Sequence, residues 1–453
     1  MTIDMLPDLA LLTIFDFYVD EKDIYAWQSL VHVCRKWRNI VFASPRRLNL
    51  RLCCTAKTLE RRKLDVWPLL PILVCSNGFQ DWGLDYIIAA LKHNDRVCGI
   101  DLCWISSPQT RQVLAAMQQP FPALKHLKLR PIDYETALPV VPASFLGGSA
   151  PSLQTLLLDC LPFPGLPNLL LSATHLVKLI LWRIPPSGYI SPEAMVTGLS
   201  VLTKLESLDI SFESPPSRSD RRHPPPSTRA LLPILTKLYF AGVHGYLEDF
   251  VSRIDTPVLN ELQITFLTFD TPQLTPFISR IPKSNAHNEA RVLFSDMDVW
   301  ITLPRIFDGA LELAISYEQP DRQLSWMAQL CRSSLPQDLI PMVEHLYIQN
   351  GRFKFSLHWD GLDSETEKSQ WLELLRPFTS VKCLYIPYAF EDGLVPVLQG
   401  LIGERVTEVL PALQTLFFQD SPKNGHIQEV IRPFVAARQL SGHPIGVAHW
   451  DGK

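Results

Sequence analysis

The chain has 453 residues, 47% of them hydrophobic and 19% charged, with a formal net charge of −4 and a pI near 6.3. That balance belongs to a soluble, folded protein of several domains or of one long repeat, and excludes a disordered chain. It offers no electrostatic footprint for nucleic acid or for an anionic membrane surface, and no apolar run approaches the roughly 18 residues a membrane span requires. Met1-Thr2-Ile3-Asp4 lacks the positive flank of a signal peptide. The nine cysteines are scattered, with no Cys-x-x-Cys spacing, and there is no Asn-x-Ser/Thr sequon. Both facts imply a reduced cytoplasmic or nuclear setting, with cysteines acting as small buried hydrophobes. Cys53 and Cys54 are adjacent, so on a strand they point to opposite faces and are poorly placed to bond each other.

Residues 1–50 read as a short helical module. Pro7 suits a first helical turn, where its missing amide costs nothing, and Asp8 adds favourable charge there. Leu11, Leu12, Ile14, Phe15 and Tyr18 give an apolar stripe over about three turns. Asp23 can cap a second helix through Ile24, Trp27 and Leu30, and Val33 to Phe42 gives a third. The unit is more apolar than its own packing requires. Residues 51–96 read as a helical linker and N-terminal cap.

From residue 97 to 426 one template recurs, apolar-x-x-Leu-x-apolar. Its clearest copies are Val97/Ile100/Leu102, Leu124/Leu127/Leu129, Leu153/Leu156/Leu158, Leu176/Leu179/Leu181, Leu205/Leu208/Ile210, Leu235/Leu238/Phe240 and Leu259/Leu262/Ile264. Later copies are Ala310/Leu313/Ile315, Val343/Leu346/Ile348, Val381/Leu384/Ile386 and Leu413/Leu416/Phe418, with a degenerate one near Val292-Leu293-Phe294. The early spacing of about 23 to 30 residues is that of leucine-rich repeats. The second and third apolar positions lie two apart, so on a strand both enter the core, and each unit must stack on its neighbours to bury them. The 38 prolines recur just before these runs, as at Pro122, Pro151, Pro257 and Pro411, and Glu193–Val201 and Gly245–Arg253 read as returns between strands. The Asn or Cys expected three residues past the last leucine is replaced by Ile132, Leu161, Ile184 and Glu213, which predicts irregular turns. The fold class expected is therefore α/β: three helices, then an irregular leucine-rich-repeat solenoid with parallel strands on its concave side.

Residues 213–229, rich in Ser, Pro and Arg, cannot build a core and read as a flexible insertion, either simply tolerated or a regulatory docking loop. Residues 427–453 close the chain. Ile427, Val430, Ile431, Phe434 and Val435 recur at helical spacing, Gly442 stops that helix, and Pro444–Trp450 gives a last strand.

The run Leu6-Pro7, Ile14-Phe15, Val33-Cys34-Arg35-Lys36-Trp37-Arg38 and Ser44-Pro45 resembles an F-box. The wider chain resembles fungal F-box proteins with degenerate leucine-rich domains, through Ser44-Pro45-Arg46-Arg47-Leu48, Trp67-Pro68 and Pro433-Phe434-Val435-Ala436-Ala437-Arg438. The resemblance implies docking on a Skp-type adaptor, and through it on a cullin–RING ubiquitin ligase. It implies that Leu6, Pro7, Ile14, Phe15, Val33, Cys34 and Trp37 form the adaptor-facing or module-core surface. The chain departs from the family at Leu9-Ala10 and at Arg46-Arg47-Leu48. An ordinary three-helix cap on the solenoid is the other reading of the module.

No catalytic template is present: no phosphate-binding glycine loop, no His-Glu-x-x-His, no Gly-x-Ser-x-Gly. Gly147-Gly148-Ser149 reads as a turn, and Asp296-x-Asp298 lacks the further ligands of a cation loop. The expectation is a non-catalytic substrate receptor without cofactor or metal, binding a protein target through residues between the core leucines. Those are His126, Lys128, Arg130, Lys178, Ile180, Trp182, Lys237, Tyr239, Glu261, Gln263, His345, Tyr347, Tyr385, Phe417 and Gln419. Tyr, Trp and Phe among charges have the composition of a binding hot spot, although aromatics also suit exposed strands, where they pack across rungs. The alternative function is a leucine-rich scaffold not engaged with a ligase.

Overall fold

A computed structural model describes residues 6–19, 26–45, 47–55, 70–76, 83–132, 139–213, 229–267, 274–281, 288–295, 298–304, 310–316, 323–335, 339–351, 364–419 and 424–450. The Pro- and Arg-rich segment 214–228, Asp23, Arg46, Trp67, Pro68 and Asp296 lie outside the described residues. The fold is α/β, and the chain divides into two compact units, Met1–Ile190 with Thr197–Leu205, and Ser191–Val196 with Glu206–Lys453.

The first unit begins with three helices, α1 (Asp8–Tyr18), α2 (Ala26–Val33) and α3 (Arg35–Ala43). Six parallel strands follow in chain order: β1 (Leu52–Thr55), β2 (Ile72–Ser76), β3 (Val97–Ile105), β4 (His126–Pro131), β5 (Thr155–Asp159) and β6 (Lys178–Ile184). Between them run α4 (Leu84–Leu91), α5 (Ser107–Ala116) and α6 (Leu166–Leu170). The template positions pair as aligned, Ile100 with Leu127, Leu156 and Leu179, and Leu102 with Leu129, Leu158 and Leu181, and all are buried. The strand series thus starts at Leu52 rather than at Val97. Leu52, Cys54, Ile72 and Val74 alternate into the core, those of β1 behind a polar Asn49 in place of the leading apolar residue.

The turns show why the Asn or Cys position is vacant. Trp104, Cys160 and Arg183 adopt left-handed φ of 64°, 56° and 49°, each at a strand end. Each is followed by a buried apolar residue, Ile105, Leu161 or Ile184. At Trp104 the pairing of β3 with β4 skips a residue, a bulge that turns the chain out of the sheet. The change of direction is made by backbone strain and an extra apolar anchor in place of a side-chain amide.

The second unit includes 191–196, from the helix α7 (Pro192–Leu199), and then β7 (Ser207–Phe212), β8 (Ala230–Leu231), β9 (Lys237–Gly242), α8 (His244–Ser252), β10 (Ile254–Asp255) and β11 (Glu261–Phe266). It continues through α9 (Thr275–Ile278), β12 (Glu289–Phe294), β13 (Asp298–Pro304), β14 (Ala310–Ser316), α10 (Gln323–Ser333), β15 (His345–Asn350) and α11 (Ser364–Leu375). It ends with β16 (Cys383–Ile386), α12 (Glu391–Gln399), β17 (Thr415–Gln419), α13 (Asn424–Leu440) and β18 (Gly446–Trp450). The sheet order is β7-β9-β11-β14-β13-β12-β15-β16-β17-β18, with β8 and β10 paired separately.

One irregularity in this unit is not a simple repeat. β12, β13 and β14 form an antiparallel meander, and β14 lies beside β11 although β12 comes first in the chain. Leu262 and Ile264 pair with Leu311 and Leu313, so the copy written as Ala310/Leu313/Ile315 is two residues out of step. A shift of two keeps the same face inward, which is why Leu311, Leu313 and Ile315 are all buried. The degenerate copy near Val292 is β12, with Ala290, Val292 and Phe294 in the core. At the C-terminal end α13 inserts Arg438, fully buried, to donate to the carbonyls of Val406, Leu410 and Leu413 at 3.2, 3.4 and 3.0 Å. Gly442, at φ 82°, ends that helix as its spacing predicts.

Candidate protein-binding surfaces

The helical module closes its own core. Leu11 and Phe15 from α1, Trp27, Leu30 and Val31 from α2, and Ile40 and Val41 from α3 are buried. Phe15 and Trp37 meet with ring centroids 4.8 Å apart. Cys34 is the N-cap of α3, its Sγ accepting from the Trp37 amide at 3.4 Å. Lys36 donates to the Leu6 carbonyl at 2.9 Å and pairs with Asp8 at 3.6 Å, which ties the entry of α1 to α3. Arg47 donates to Asp16 at 2.7 Å.

With that core complete, several large apolar side chains still face outward: Leu9, Ile14 (44% exposed), Phe17 (87%), Tyr18 and Val33 (58%). At 100° per residue, Ile14, Phe17 and Tyr18 fall on one arc of α1, beside the arc of Leu11 and Phe15. Of the residues the F-box resemblance selects, Pro7, Ile14 and Val33 are exposed, and Leu6, Cys34 and Trp37 are half-buried. Phe15 is wholly buried, so its part is to hold the module together rather than to touch a partner. Phe17, the most exposed of the group, lies outside the positions that the F-box resemblance selects. Its signal was there: Leu9 to Tyr18 is apolar on more of the helix than one packed face needs.

On the first unit's strands, the side chains opposite the core leucines form a charged and aromatic wall. Its register rows run Gly99, His126, Thr155, Lys178 and Asp101, Lys128, Leu157, Ile180. Lys128 pairs with Asp101 at 3.0 Å. Burial lowers the pKa of His126, and the charges of Arg51, Lys125 and Lys128 push it further down, the mark of a positive local field. Ile180, expected as exposed wall, is buried together with its neighbour Leu157. Beyond them Arg130 lies over the Trp182 ring at 5.1 Å and the Trp104 ring at 6.0 Å.

The second unit carries one register row across all ten strands of its sheet: Asp209, Tyr239, Gln263, Glu312, Thr302, Arg291, Tyr347, Tyr385, Phe417 and Ala448. Its first part is acidic. Lys237 pairs with Glu261 at 2.6 Å, the Tyr239 hydroxyl donates to Glu261, and Gln263 donates to Glu312 at 2.8 Å. Burial raises the Tyr239 pKa, and its hydrogen bond to Glu261 raises it further. Burial also pushes Glu261 up, but the hydrogen bonds from Lys237 and Tyr239 outweigh it and leave the carboxyl below its ordinary value. Glu312 is raised by burial and by the Glu261 charge, only partly offset by Gln263.

The second part of the row is an aromatic ladder. Tyr347 and Tyr385 stack at 4.0 Å and 11°, and Tyr385 and Phe417 at 4.5 Å and 7°. Residues in register on adjacent parallel strands repeat every ~4.8 Å, close to stacking distance, so like side chains in one row stack face to face. Arg291 lies 5.6 Å from the Tyr347 ring, and His345 Nδ1 is 3.3 Å from the Tyr385 hydroxyl. Trp450 meets the rings of Tyr385 and Tyr347 edge-on at 5.4 and 6.1 Å. Tyr239, Tyr347, Tyr385 and Phe417 therefore share one row, while His126, Lys128, Arg130, Lys178 and Trp182 share the wall of the first unit. Arg291 and Trp450 belong to the ladder although the repeat template did not find them; only the meander and the final strand pairing bring them there.

Among the described residues no group of three or more His, Cys, Asp or Glu side chains stands close enough to hold a metal ion, and no helix is long and apolar enough to cross a membrane. No protein-family model matches the chain, and no curated protein matches it.

Proposed function

We propose that this chain is the substrate-recognition subunit of a Skp–cullin–F-box type ubiquitin ligase. In this reading the N-terminal helices dock on a Skp-type adaptor and the strand walls hold a protein target. The carrying observation is the apolar surface of Ile14, Phe17, Tyr18 and Val33, left outside a helical module whose core is already filled. Exposed aromatic and aliphatic side chains grouped on a small module are the signature of an interface awaiting its partner. The F-box resemblance at Leu6-Pro7, Ile14-Phe15 and Val33 to Arg38 supplies the chemistry of that partner. The aromatic ladder of Tyr347, Tyr385 and Phe417 supports target binding, since rigid aromatic side chains provide contact area at low entropic cost.

Such a receptor accelerates transfer by proximity. It raises the concentration of a target lysine near a conjugating enzyme carried by other subunits, and needs no nucleophile of its own. The test is co-purification of the full chain with a Skp-type adaptor, comparing wild type with Ile14→Asp/Val33→Asp. Both positions are exposed, so the variant keeps its melting temperature and loses the adaptor. Equal recovery of the two proteins, or no recovery of adaptor with either, refutes the ligase reading and leaves the leucine-rich scaffold.

A further inference from the structure

We infer that the first unit holds a receptor for an anionic side chain of the bound polypeptide, a carboxylate or a phosphate monoester, centred on the Arg130 guanidinium. The inference deepens the reading of the strand face as a target-binding wall and is independent of the adaptor.

Arg130 is held in place without being satisfied. Its Cζ lies 5.1 Å from the Trp182 ring and 6.0 Å from the Trp104 ring, so indoles of β6 and β3 fix the guanidinium. Asp159, only 1% exposed, sits beneath, with Arg130 Nε 3.7 Å from Oδ2. That separation is an ion pair, too long for a hydrogen bond. The hydrogen bonds to Asp159 come from Arg183, whose Nε donates to Oδ1 at 2.9 Å and whose terminal nitrogen donates to Oδ2 at 2.5 Å. One buried carboxylate thus stands against two guanidiniums, and its bidentate partner is Arg183. The cluster keeps a net positive charge, carried by Arg130.

Among the described residues no acceptor lies within hydrogen-bond distance of Arg130, whose side chain remains 37% exposed. A guanidinium fixed by stacking, with its donors unspent, is preorganised for an incoming anion, which such a fork binds through paired hydrogen bonds. The surroundings favour negative charge as well. Lys178 is exposed two rows along the same face, in the row of His126, on which the charges of Arg51, Lys125 and Lys128 already act.

The test uses the full chain labelled with 5-fluorotryptophan and read by fluorine NMR, with the Trp104 and Trp182 signals assigned from Trp104→Phe and Trp182→Phe. The probes are N-acetyl-phosphoserine methylamide, N-acetyl-glutamate methylamide and, as neutral control, N-acetyl-glutamine methylamide. The expected result is saturable movement of both signals with an anionic probe and none with the neutral one. Whichever anion binds more tightly identifies the source. Arg130→Gln, which leaves the Asp159–Arg183 pair intact, weakens binding by about tenfold or more, whereas Lys128→Gln, one charge away on the same strand, weakens it less than about threefold. Unmoved signals with both anions, an Arg130→Gln protein that binds like wild type, or equal losses in the two variants would each overturn the proposal. Loss of the adaptor interaction elsewhere leaves this measurement unaffected, so the two readings fail separately.

Discussion

Phe15 and Phe17 are two residues apart on α1 and should answer the same substitution in opposite ways. Phe15 is wholly buried against Trp37, whereas Phe17 is 87% exposed. Truncating a buried phenylalanine costs about 3–5 kcal/mol through lost transfer energy and the cavity left behind. For a module of three short helices that is enough to unfold it, so Phe15→Ala should lose helix content and, secondarily, the adaptor. Phe17→Ala should change stability by less than about 0.5 kcal/mol, as surface substitutions do. Covering a whole phenylalanine is worth about 1.5–3 kcal/mol, and with 87% of this one still to cover, docking stands to gain roughly 1.3–2.6 kcal/mol. Its removal then weakens adaptor affinity by roughly ten- to eighty-fold. Calorimetric titration of purified adaptor into each variant, with thermal melts in parallel, reads both quantities. Unchanged affinity in Phe17→Ala, or a loss of affinity matched by a loss of stability, refutes the assignment of Phe17 to an interface.

Three further outcomes follow from the second unit and the cysteines. Arg438→Met removes the donor from the carbonyls of Val406, Leu410 and Leu413, and uncapped buried acceptors cost about 1–3 kcal/mol each, so hydrogen exchange in β17 should speed up by about a hundredfold or more; unchanged protection contradicts that role. Burial and the Glu261 charge raise the Glu312 pKa above its ordinary 4.5 in the folded state, so the folded chain holds this proton more tightly and loses stability as pH climbs through that window. Glu312→Gln should therefore match wild type at pH 4 and melt higher at pH 7; a lower melting temperature at pH 7 contradicts the sign. The thiols of Cys54 and Cys331 are pushed up to about 12, chiefly by burial, and both should resist a disulfide reagent until the chain unfolds, while the half-buried Cys34 reacts in the native state. Native labelling of Cys331 at the rate of Cys34 would contradict its burial.

The order of elements was legible because its cause is local. Leu127 and Leu129 are two apart, and a strand sends both to one side whatever lies around them. The same rule found the strand copies from Val97 to Ile264 and placed Lys128, Tyr239 and Tyr385 opposite the core. It missed β1, where the polar Asn49 stands in the leading position before Leu52 and Cys54, and passed over β2, although Leu69, Ile72 and Val74 have the spacing of the template. It set β14 two residues out of step, because that strand enters from an antiparallel meander and not from a helical return. A slip of two leaves the periodic pattern unchanged, so periodicity could not have detected it.

By itself, then, the sequence determined the fold class, the faces of the strands and the apolar excess of α1, since each follows from spacing along one segment. Tertiary structure alone decided which outward side chains meet. The Tyr347–Tyr385–Phe417 ladder spans strands separated by long connections, and Asp159 reaches Arg183 across a strand pair. It also split the F-box-like residues into a filled core at Phe15 and an open surface at Ile14 and Val33, which Phe17, outside that set, extends. The reason is physical: periodicity fixes a side chain's direction, but burial, stacking and charge pairing depend on neighbours that only strand register brings within reach.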